Sequence, residues 1–148
     1  MTFITALVLF ALLTLIMLGH EIFYTYATQG FGFGFSSNRK TVERSPLALR
    51  IQRAYQNQVE AAAYGVPVLA AAAITGLEGS GAQTAALIFV IGRVAFAVLY
   101  YSGVPFIRVP AFLMGTLSTL YIAYAIFATG LLWEHKTNAL APSAVRPR

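Results

Sequence analysis

The sequence predicts an all-α integral membrane protein, folded as a four-helix bundle. Of its 148 residues, 58% are hydrophobic and only 10% are charged, and the mean hydropathy is +0.70. A chain with so few polar side chains has too little polar surface to cover a soluble globule of this size. Four long apolar segments, each able to cross about 30 Å of hydrocarbon, are separated by short stretches rich in Gly, Pro or basic residues.

The composition excludes several kinds of site. The chain has no cysteine, which removes disulfides, thiolate metal ligands and cysteine nucleophiles together. Its two histidines, His20 and His135, are isolated, so we predict no metal site. The net charge of +5 comes without a basic patch interleaved with aromatic residues. We therefore interpret the charge as a signal of the membrane surface and of topology, with no nucleic-acid partner.

The four predicted helices cover residues 3–24, 47–77, 82–102 and 109–133, in a single domain of residues 1–133. The first begins with an apolar run without charges. A cleaved signal peptide is the competing interpretation, but no basic residue precedes the run, which is long for such a peptide. The short connection Glu78–Gly81 makes the second and third helices antiparallel neighbours. Residues 134–148 are predicted to be a short polar tail that is loosely attached.

The connections carry a topology signal. The sequence GFGFGF at 30–35 predicts a loop, because each glycine inside a helix costs about 1 kcal/mol relative to alanine. Basic residues are concentrated in the first and third connections, and the middle connection has none. This distribution favours a multi-pass protein whose first connection is cytoplasmic.

The start of the second helix carries the main functional signal. At about 100° per residue, most of its polar side chains fall on one stripe, and Gln58 lies off it. A charge inside the membrane costs about 2.5–3.5 kcal/mol unless it is paired or hydrated, so we interpret the stripe as the functional site. The polar stripe consists of Arg50, Arg53, Gln56, Asn57, Glu60 and Tyr64.

Two more arginines stand out. Arg93 lies near the middle of the third helix, and we predict that it pairs with Glu60, with Glu21 as the less favoured partner. Two roles for Arg93 remain open: it either stabilises the packing of the bundle or contacts a ligand. Arg108 precedes Pro110 in the first turn of the fourth helix, where a helix N-terminus adds positive potential for an anion. Anchoring at phosphate headgroups is the alternative role of Arg108.

These residues resemble the MAPEG family, the membrane-associated proteins in eicosanoid and glutathione metabolism, and within it the microsomal glutathione S-transferases. The likeness covers about residues 47–133, and the first helix fits by position only. The residues that carry it are Arg53, Ala54, Asn57 and Glu60, then Gly92, Arg93 and Val94, then Tyr100, Tyr101 and Arg108.

The resemblance implies a homotrimer that binds glutathione between neighbouring subunits near the cytoplasmic side. Its members conjugate glutathione to lipophilic electrophiles, reduce lipid peroxides or isomerise an endoperoxide. Gln56, Phe96 and Val109 depart from the pattern of the isomerase branch, so we expect a transferase or a peroxidase. The expected glutathione-binding residues are Arg50, Arg53, Gln56, Asn57, Glu60 and Arg93, and the expected catalytic residues are Arg108, Tyr100 and Tyr101.

The chemistry of glutathione agrees with this set. Its two carboxylates need arginines and its ammonium needs a carboxylate, which the polar stripe supplies. Its thiol, of pKa about 8.5, needs positive charge or hydrogen-bond donors to ionise at neutral pH.

Two other classes of protein remain open. One is a non-enzymatic lipid-binding or scaffold member of the same fold, and the other is a small transporter or channel component, for which the sequence has no inverted repeats.

Overall fold

The protein is helical throughout the part that its computed structural model describes, which is residues 1–37 and 44–140, with the backbone alone for 131–140. The helices are α1 (Phe3–Gln29), α2 (Phe31–Phe35), α3 (Pro46–Ile74), α4 (Ser80–Ser102) and α5 (Arg108–Leu140). Three of them, α1, α4 and α5 as far as Gly130, are long and apolar enough to cross a membrane. The all-α fold is therefore confirmed, with α3 as a fourth long helix.

Local capping explains where two of these helices begin. Thr2 precedes α1, and its hydroxyl accepts a hydrogen bond from the backbone N–H of Thr5 at 3.1 Å. Ser45 caps α3 in the same way, accepting from Ala48 N at 3.2 Å. The Ser45 hydroxyl also lies 3.1 Å from the hydroxyl of Tyr24. This second contact holds the last turns of α1 beside the first turn of α3.

The prediction of a loop at GFGFGF was wrong, because residues 31–35 form the short helix α2. The cause is a tertiary contact that glycine propensities do not contain. The ring of Tyr26 stacks on Phe31 with the ring centroids 5.4 Å apart, and it also contacts Phe35 at 6.4 Å. Gly34 packs directly against the same ring, where no side chain would fit. Packing on one tyrosine thus stabilises a helix that the sequence alone disfavours.

Several helix ends differ from the predicted ones. Helix α1 continues to Gln29, beyond the predicted end at 24, and α3 ends at Ile74 instead of 77. Helix α5 continues to Leu140, so the first part of the predicted polar tail is helical, and residues 141–148 lie outside the described residues. Helix α5 crosses the predicted boundary at 133 without a break. The hydropathy pattern therefore located the end of the apolar segment, whereas the helix itself continues beyond it.

The helices enclose a core of aromatic and small side chains. Helix α4 packs most extensively against α5, and α1 packs against α3. Phe89 is fully buried, and its ring lies 5.4 Å from that of Phe10 on α1. Glycine allows the closest approach, because a Cβ atom on Gly92 would lie 2.9 Å from the backbone N of Gly115 and 3.0 Å from the carbonyl oxygen of Ala111. The backbones of α4 and α5 therefore touch at Gly92.

The outer surface of the bundle is apolar along the helices that can span a membrane. Isolated apolar side chains are common on soluble proteins, but here they form continuous helix faces. This distribution is the one expected of a membrane helical bundle whose lipid-facing surface is hydrophobic. Exposed examples are Ile4, Leu12, Ile16 and Phe23 on α1, Ile91 and Val98 on α4, and Leu117, Leu120 and Phe127 on α5.

Replacing Gly92 by alanine should destabilise the bundle, although alanine is the better helix former by about 1 kcal/mol. The added methyl group has to separate α4 from α5, and overpacking of this kind costs about 1–3 kcal/mol. We expect a lower midpoint of thermal unfolding in detergent. Gly19→Ala on α1 is the matched control, since nothing lies within 4 Å of its Cβ position. Equal midpoints for the two variants would contradict the close approach.

Candidate functional site

Four of the predicted site residues gather where α1 and α4 end and where α3 and α5 begin. Helices α3 and α4 are joined by only a short connection and run antiparallel, so Arg50 on the second turn of α3 lies beside the last turn of α4. Arg108 opens α5 directly after that turn. We call this region the arginine end of the bundle, defined by Arg50, Tyr100, Tyr101 and Arg108.

Arg50 lies over the residue that ends α4. Gly103 adopts a left-handed conformation, with φ of 76°, which glycine adopts without strain. A Cβ atom on Gly103 would lie 2.6 Å from Nη1 of Arg50, so glycine leaves room for the guanidinium in this position, and a larger residue would require Arg50 to move. The Nε of Arg50 is buried and has no hydrogen-bond partner among the described residues. An unsatisfied buried donor costs about 1–3 kcal/mol, which a ligand acceptor at this position would recover.

Arg108 lies over an aromatic ladder on one face of α4. Its guanidinium carbon is 4.8 Å from the ring centroid of Tyr100, in a cation–π arrangement. The centroids of the Tyr100 and Phe96 rings are 5.3 Å apart, and the guanidinium carbon of Arg93 lies 5.0 Å from the centroid of the Phe96 ring. Residues 93, 96 and 100 share a face because they are three and four positions apart. The ladder connects the buried arginine to the one at the arginine end.

The two tyrosines are placed differently, although the sequence offered them as a pair. Tyr101 faces α1, and its ring lies 5.2 Å from the ring of His20. Its hydroxyl is buried without a hydrogen-bond partner among the described residues. Tyr100 therefore supports Arg108, whereas Tyr101 keeps a free phenolic donor at the same end of the bundle.

The polar stripe of α3 lies on the outside of the single chain. Arg53, Gln56 and Glu60 are exposed, and Asn57 is half-buried. Gln56 Nε2 donates to Glu60 Oε1 at 3.2 Å, while Arg53 forms no hydrogen bond or ion pair with another described residue. The helical pattern predicted this shared face correctly. Arg53 and Glu60 therefore lie on the surface of α3 without an ion pair to another described residue.

The predicted ion pair between Arg93 and Glu60 was wrong. Arg93 is 1% exposed, and its Nε donates to Gln58 Oε1 at 2.9 Å while its Nη2 donates to Asn57 Oδ1 at 3.0 Å. Its Nη1 is buried without a partner among the described residues. Glu21, the second predicted partner, lies 3.9 Å from Arg44 instead. Two of the three guanidinium nitrogens of Arg93 are therefore hydrogen-bonded to neutral amides within the chain.

Gln58 is the residue that the sequence reasoning missed. It is completely buried, and besides accepting from Arg93 it donates from Nε2 to Thr14 Oγ1 on α1 at 3.0 Å. The signal was present, since Gln58 is a polar side chain that lies off the stripe near the start of α3. A polar group on a buried helix face is nearly always hydrogen-bonded, so its partner could have been sought on another helix.

Two further features bound what the site can do. Among the described residues, no three His, Asp, Glu or Cys side chains lie close enough to hold a metal ion. A cavity of about 540 Å³ lies between α4 and α5, but it is near the start of α4, away from the arginine end. The chemistry available at the arginine end is therefore anion binding by arginines and hydrogen-bond donation by phenols.

Comparison with known proteins gives the family. Residues 3–128 match the model of the MAPEG family, which is nearly the whole chain, and no curated protein or solved structure matched. The protein therefore belongs to the MAPEG family. Together with the three apolar helices, this membership makes it an integral membrane protein with a function related in general to glutathione or eicosanoid metabolism. The match also includes α1, which the sequence resemblance had covered by position only.

Replacing Arg93 should reveal its true partner. Arg93→Met leaves the carbonyl oxygen of Gln58 buried without a donor, so the midpoint of thermal unfolding in detergent should fall. Adding Gln58→Met should then cost less than it does in the wild type, with a coupling of about 0.5–3 kcal/mol. Adding Glu60→Gln is the control and should be simply additive. Coupling to Glu60 and none to Gln58 would contradict the observed hydrogen bonds.

Proposed function

We propose that this protein is a membrane-bound glutathione-dependent transferase or peroxidase that acts on lipophilic electrophiles. The observation that carries the proposal is the arginine end, where Arg50 and Arg108 both lie against the last turn of α4. Buried donors on Arg50 and Tyr101 have no partner there among the described residues. Unsatisfied donors beside two permanent cations suit an anionic ligand, and glutathione is the anionic substrate that family membership suggests.

The polar stripe supplies the complementary groups for the rest of the tripeptide. Arg53 is an exposed guanidinium without an ion pair to another described residue, suited to one of the glutathione carboxylates. Glu60 is an exposed carboxylate whose described partner is the neutral amide of Gln56, so it can accept the ligand ammonium. Asn57 lies between them and offers an amide for peptide groups. We therefore assign binding and orientation of the peptide part of glutathione to the stripe, and stabilisation of its sulfur to the arginine end.

Arg108 is our candidate for stabilising the thiolate. Its position over Tyr100 holds the guanidinium at the first residue of α5, where the helix N-terminus adds to its positive potential. A cation there lowers the pKa of a bound thiol and increases the thiolate fraction at neutral pH. In the transferase reaction the thiolate sulfur forms a bond to the electrophilic carbon, while the bond to the leaving group breaks and its electron pair departs with that group. In the peroxidase reaction the thiolate attacks one peroxide oxygen, the O–O bond breaks and the alcohol leaves; a second glutathione thiol then converts the sulfenic acid to the disulfide and water. The proton lost when the thiol ionises passes to solvent and is returned to the departing oxygen or leaving group.

We also propose that the site is completed by assembly into a homotrimer. Arg53 and Glu60 lie on the exposed face of α3, and a charge left facing lipid costs about 2.5–3.5 kcal/mol. Burial of the stripe between subunits removes that cost and encloses the ligand at the same time. The lipophilic substrate would reach such a site from the bilayer, along the apolar faces of the neighbouring helices.

Glutathione should protect the detergent-solubilised protein against heat, because a ligand that binds only the folded state stabilises it. At a concentration of 100 times Kd the gain is about 2.7 kcal/mol. Arg53→Ala should need more glutathione for the same rise in unfolding midpoint. Protection by a fatty acid but not by glutathione would contradict the proposal and favour a non-enzymatic lipid-binding member of the family.

Arg108→Ala should reduce turnover more than glutathione affinity. Loss of a charged hydrogen bond worth about 1.5–3 kcal/mol predicts a fall in kcat of about 10- to 100-fold. The pKa of the bound thiol should rise, so the pH at which thiolate absorbance appears should move upward. Arg53→Ala, in contrast, should mainly raise KM.

Arg108→Lys is the matched control, because it keeps the positive charge and should retain part of the activity. If Arg108→Ala folds normally with unchanged kcat and an unchanged ionisation pH, Arg108 serves only as a headgroup anchor. The thiolate donor would then be sought at Tyr100 or Tyr101.

A further inference from the structure

We infer that Gln58 is a positioning residue for glutathione binding, acting through Arg93 to fix the side-chain amide of Asn57. Gln58 lies on the buried face of α3 and Asn57 on the edge of its polar stripe, and both bond the same guanidinium. The inference rests on the proposed function, because it assigns Asn57 to the glutathione site. It goes further in naming a buried residue that touches no ligand yet sets how the ligand is held.

The orientation of both amides follows from the chemistry of arginine. A guanidinium has N–H donors and no acceptor, so the amide atom that faces it must be the carbonyl oxygen. The contacts are Nη2 to Asn57 Oδ1 at 3.0 Å and Nε to Gln58 Oε1 at 2.9 Å. The NH₂ group of each amide must therefore point away from Arg93.

For Gln58, the outward NH₂ group is fixed by α1. Gln58 Nε2 donates to Thr14 Oγ1 at 3.0 Å, and the Thr14 hydroxyl donates in turn to the carbonyl oxygen of Phe10 at 2.8 Å. Every hydrogen bond in this chain points the same way, from the cation to a backbone carbonyl. Gln58 is fully buried and held at both ends, so Arg93 is held in one orientation.

For Asn57, the outward NH₂ group remains free. The side chain is half-buried, and Nδ2 forms no hydrogen bond with a described residue. It lies on the helix face that also carries Arg53 and Glu60, where it can donate to a carboxylate or peptide oxygen of glutathione. If Arg93 lost its orientation, the Asn57 amide could rotate and present its oxygen to that acceptor. Binding would then lose a hydrogen bond and gain a repulsion.

The test measures kcat and KM for glutathione in Gln58 variants of the full-length protein. Gln58→Met keeps the volume but removes both hydrogen bonds, and we expect KM to rise about 10-fold, which corresponds to one weak hydrogen bond, with kcat within about 2-fold. Gln58→Glu keeps an oxygen for Arg93 Nε and should restore a KM close to that of the wild type. In the background of Asn57→Ala, Gln58→Met should raise KM no further, because its effect passes through Asn57.

A matched control separates positioning from general destabilisation. Thr119→Val removes a buried hydroxyl that bonds only within its own helix, to the carbonyl oxygen of Gly115 at 3.0 Å. It can lower the unfolding midpoint but should leave KM unchanged. If Gln58→Met does not fold, Thr14→Val tests the same chain by removing the acceptor of Gln58, and it should raise KM by a smaller factor.

The outcomes distinguish this inference from the proposed function. A wild-type protein whose unfolding midpoint and activity do not depend on glutathione overturns both. If the wild type binds glutathione while Gln58→Met or Thr14→Val keeps its KM, the positioning role is wrong and the proposed function stands. An increase in KM on top of Asn57→Ala as large as that in the wild type would also overturn the role.

Discussion

A permanent positive charge in the interior of the bundle constrains all four long helices. The Arg93 guanidinium, on α4, is held by the amides of Gln58 and Asn57 on α3, and through Gln58 by Thr14 on α1. Its methylene groups pass against α5, where a Cβ atom on Gly115 would lie 3.2 Å from Cδ. The amides that contact this charge are neutral dipoles, so they stabilise it without neutralising it. Such stabilisation depends on well-formed hydrogen bonds to the guanidinium.

The same constraint explains the layout of the candidate site. Because Arg93, Phe96 and Tyr100 occupy one face of α4, fixing the first residue also fixes the ring on which Arg108 lies. The α3 side chains that contact Arg93 are interleaved with those of the exposed stripe. Residues that hold Arg93 and residues that we propose to bind glutathione therefore alternate along the same two turns of α3.

The sequence predicted the features that depend on local periodicity. Hydropathy located the long helices, and a period of 3.6 residues placed Arg53, Gln56 and Glu60 on one exposed face. The sequence did not determine which residue forms a hydrogen bond with Arg93. Glu60 and Gln58 are two residues apart and so differ by about 200° around the helix, and the partner depends on how α3 is rotated.

That rotation was ambiguous because α3 is rich in alanine and looks apolar on several faces. The buried face contains Ala54 and Ala61, whereas Val59, the larger apolar side chain, is exposed. Close packing of small residues outweighed the hydrophobicity of a single valine at this helix contact. Helix α2 was missed for a related reason, since the Tyr26 ring that stabilises it belongs to a different helix.

The direction of the hydrogen bonds from Arg93 to Phe10 has a consequence for membrane insertion. Proteins are synthesised from the N-terminus, so Thr14 and Gln58 leave the ribosome before Arg93. An α4 helix entering lipid alone would carry an unsatisfied guanidinium into hydrocarbon, at a cost of about 2.5–3.5 kcal/mol. Here the acceptors are made first and the cation last. The order of the chain thus allows α4 to enter against a partly assembled bundle whose amide oxygens are ready to receive it.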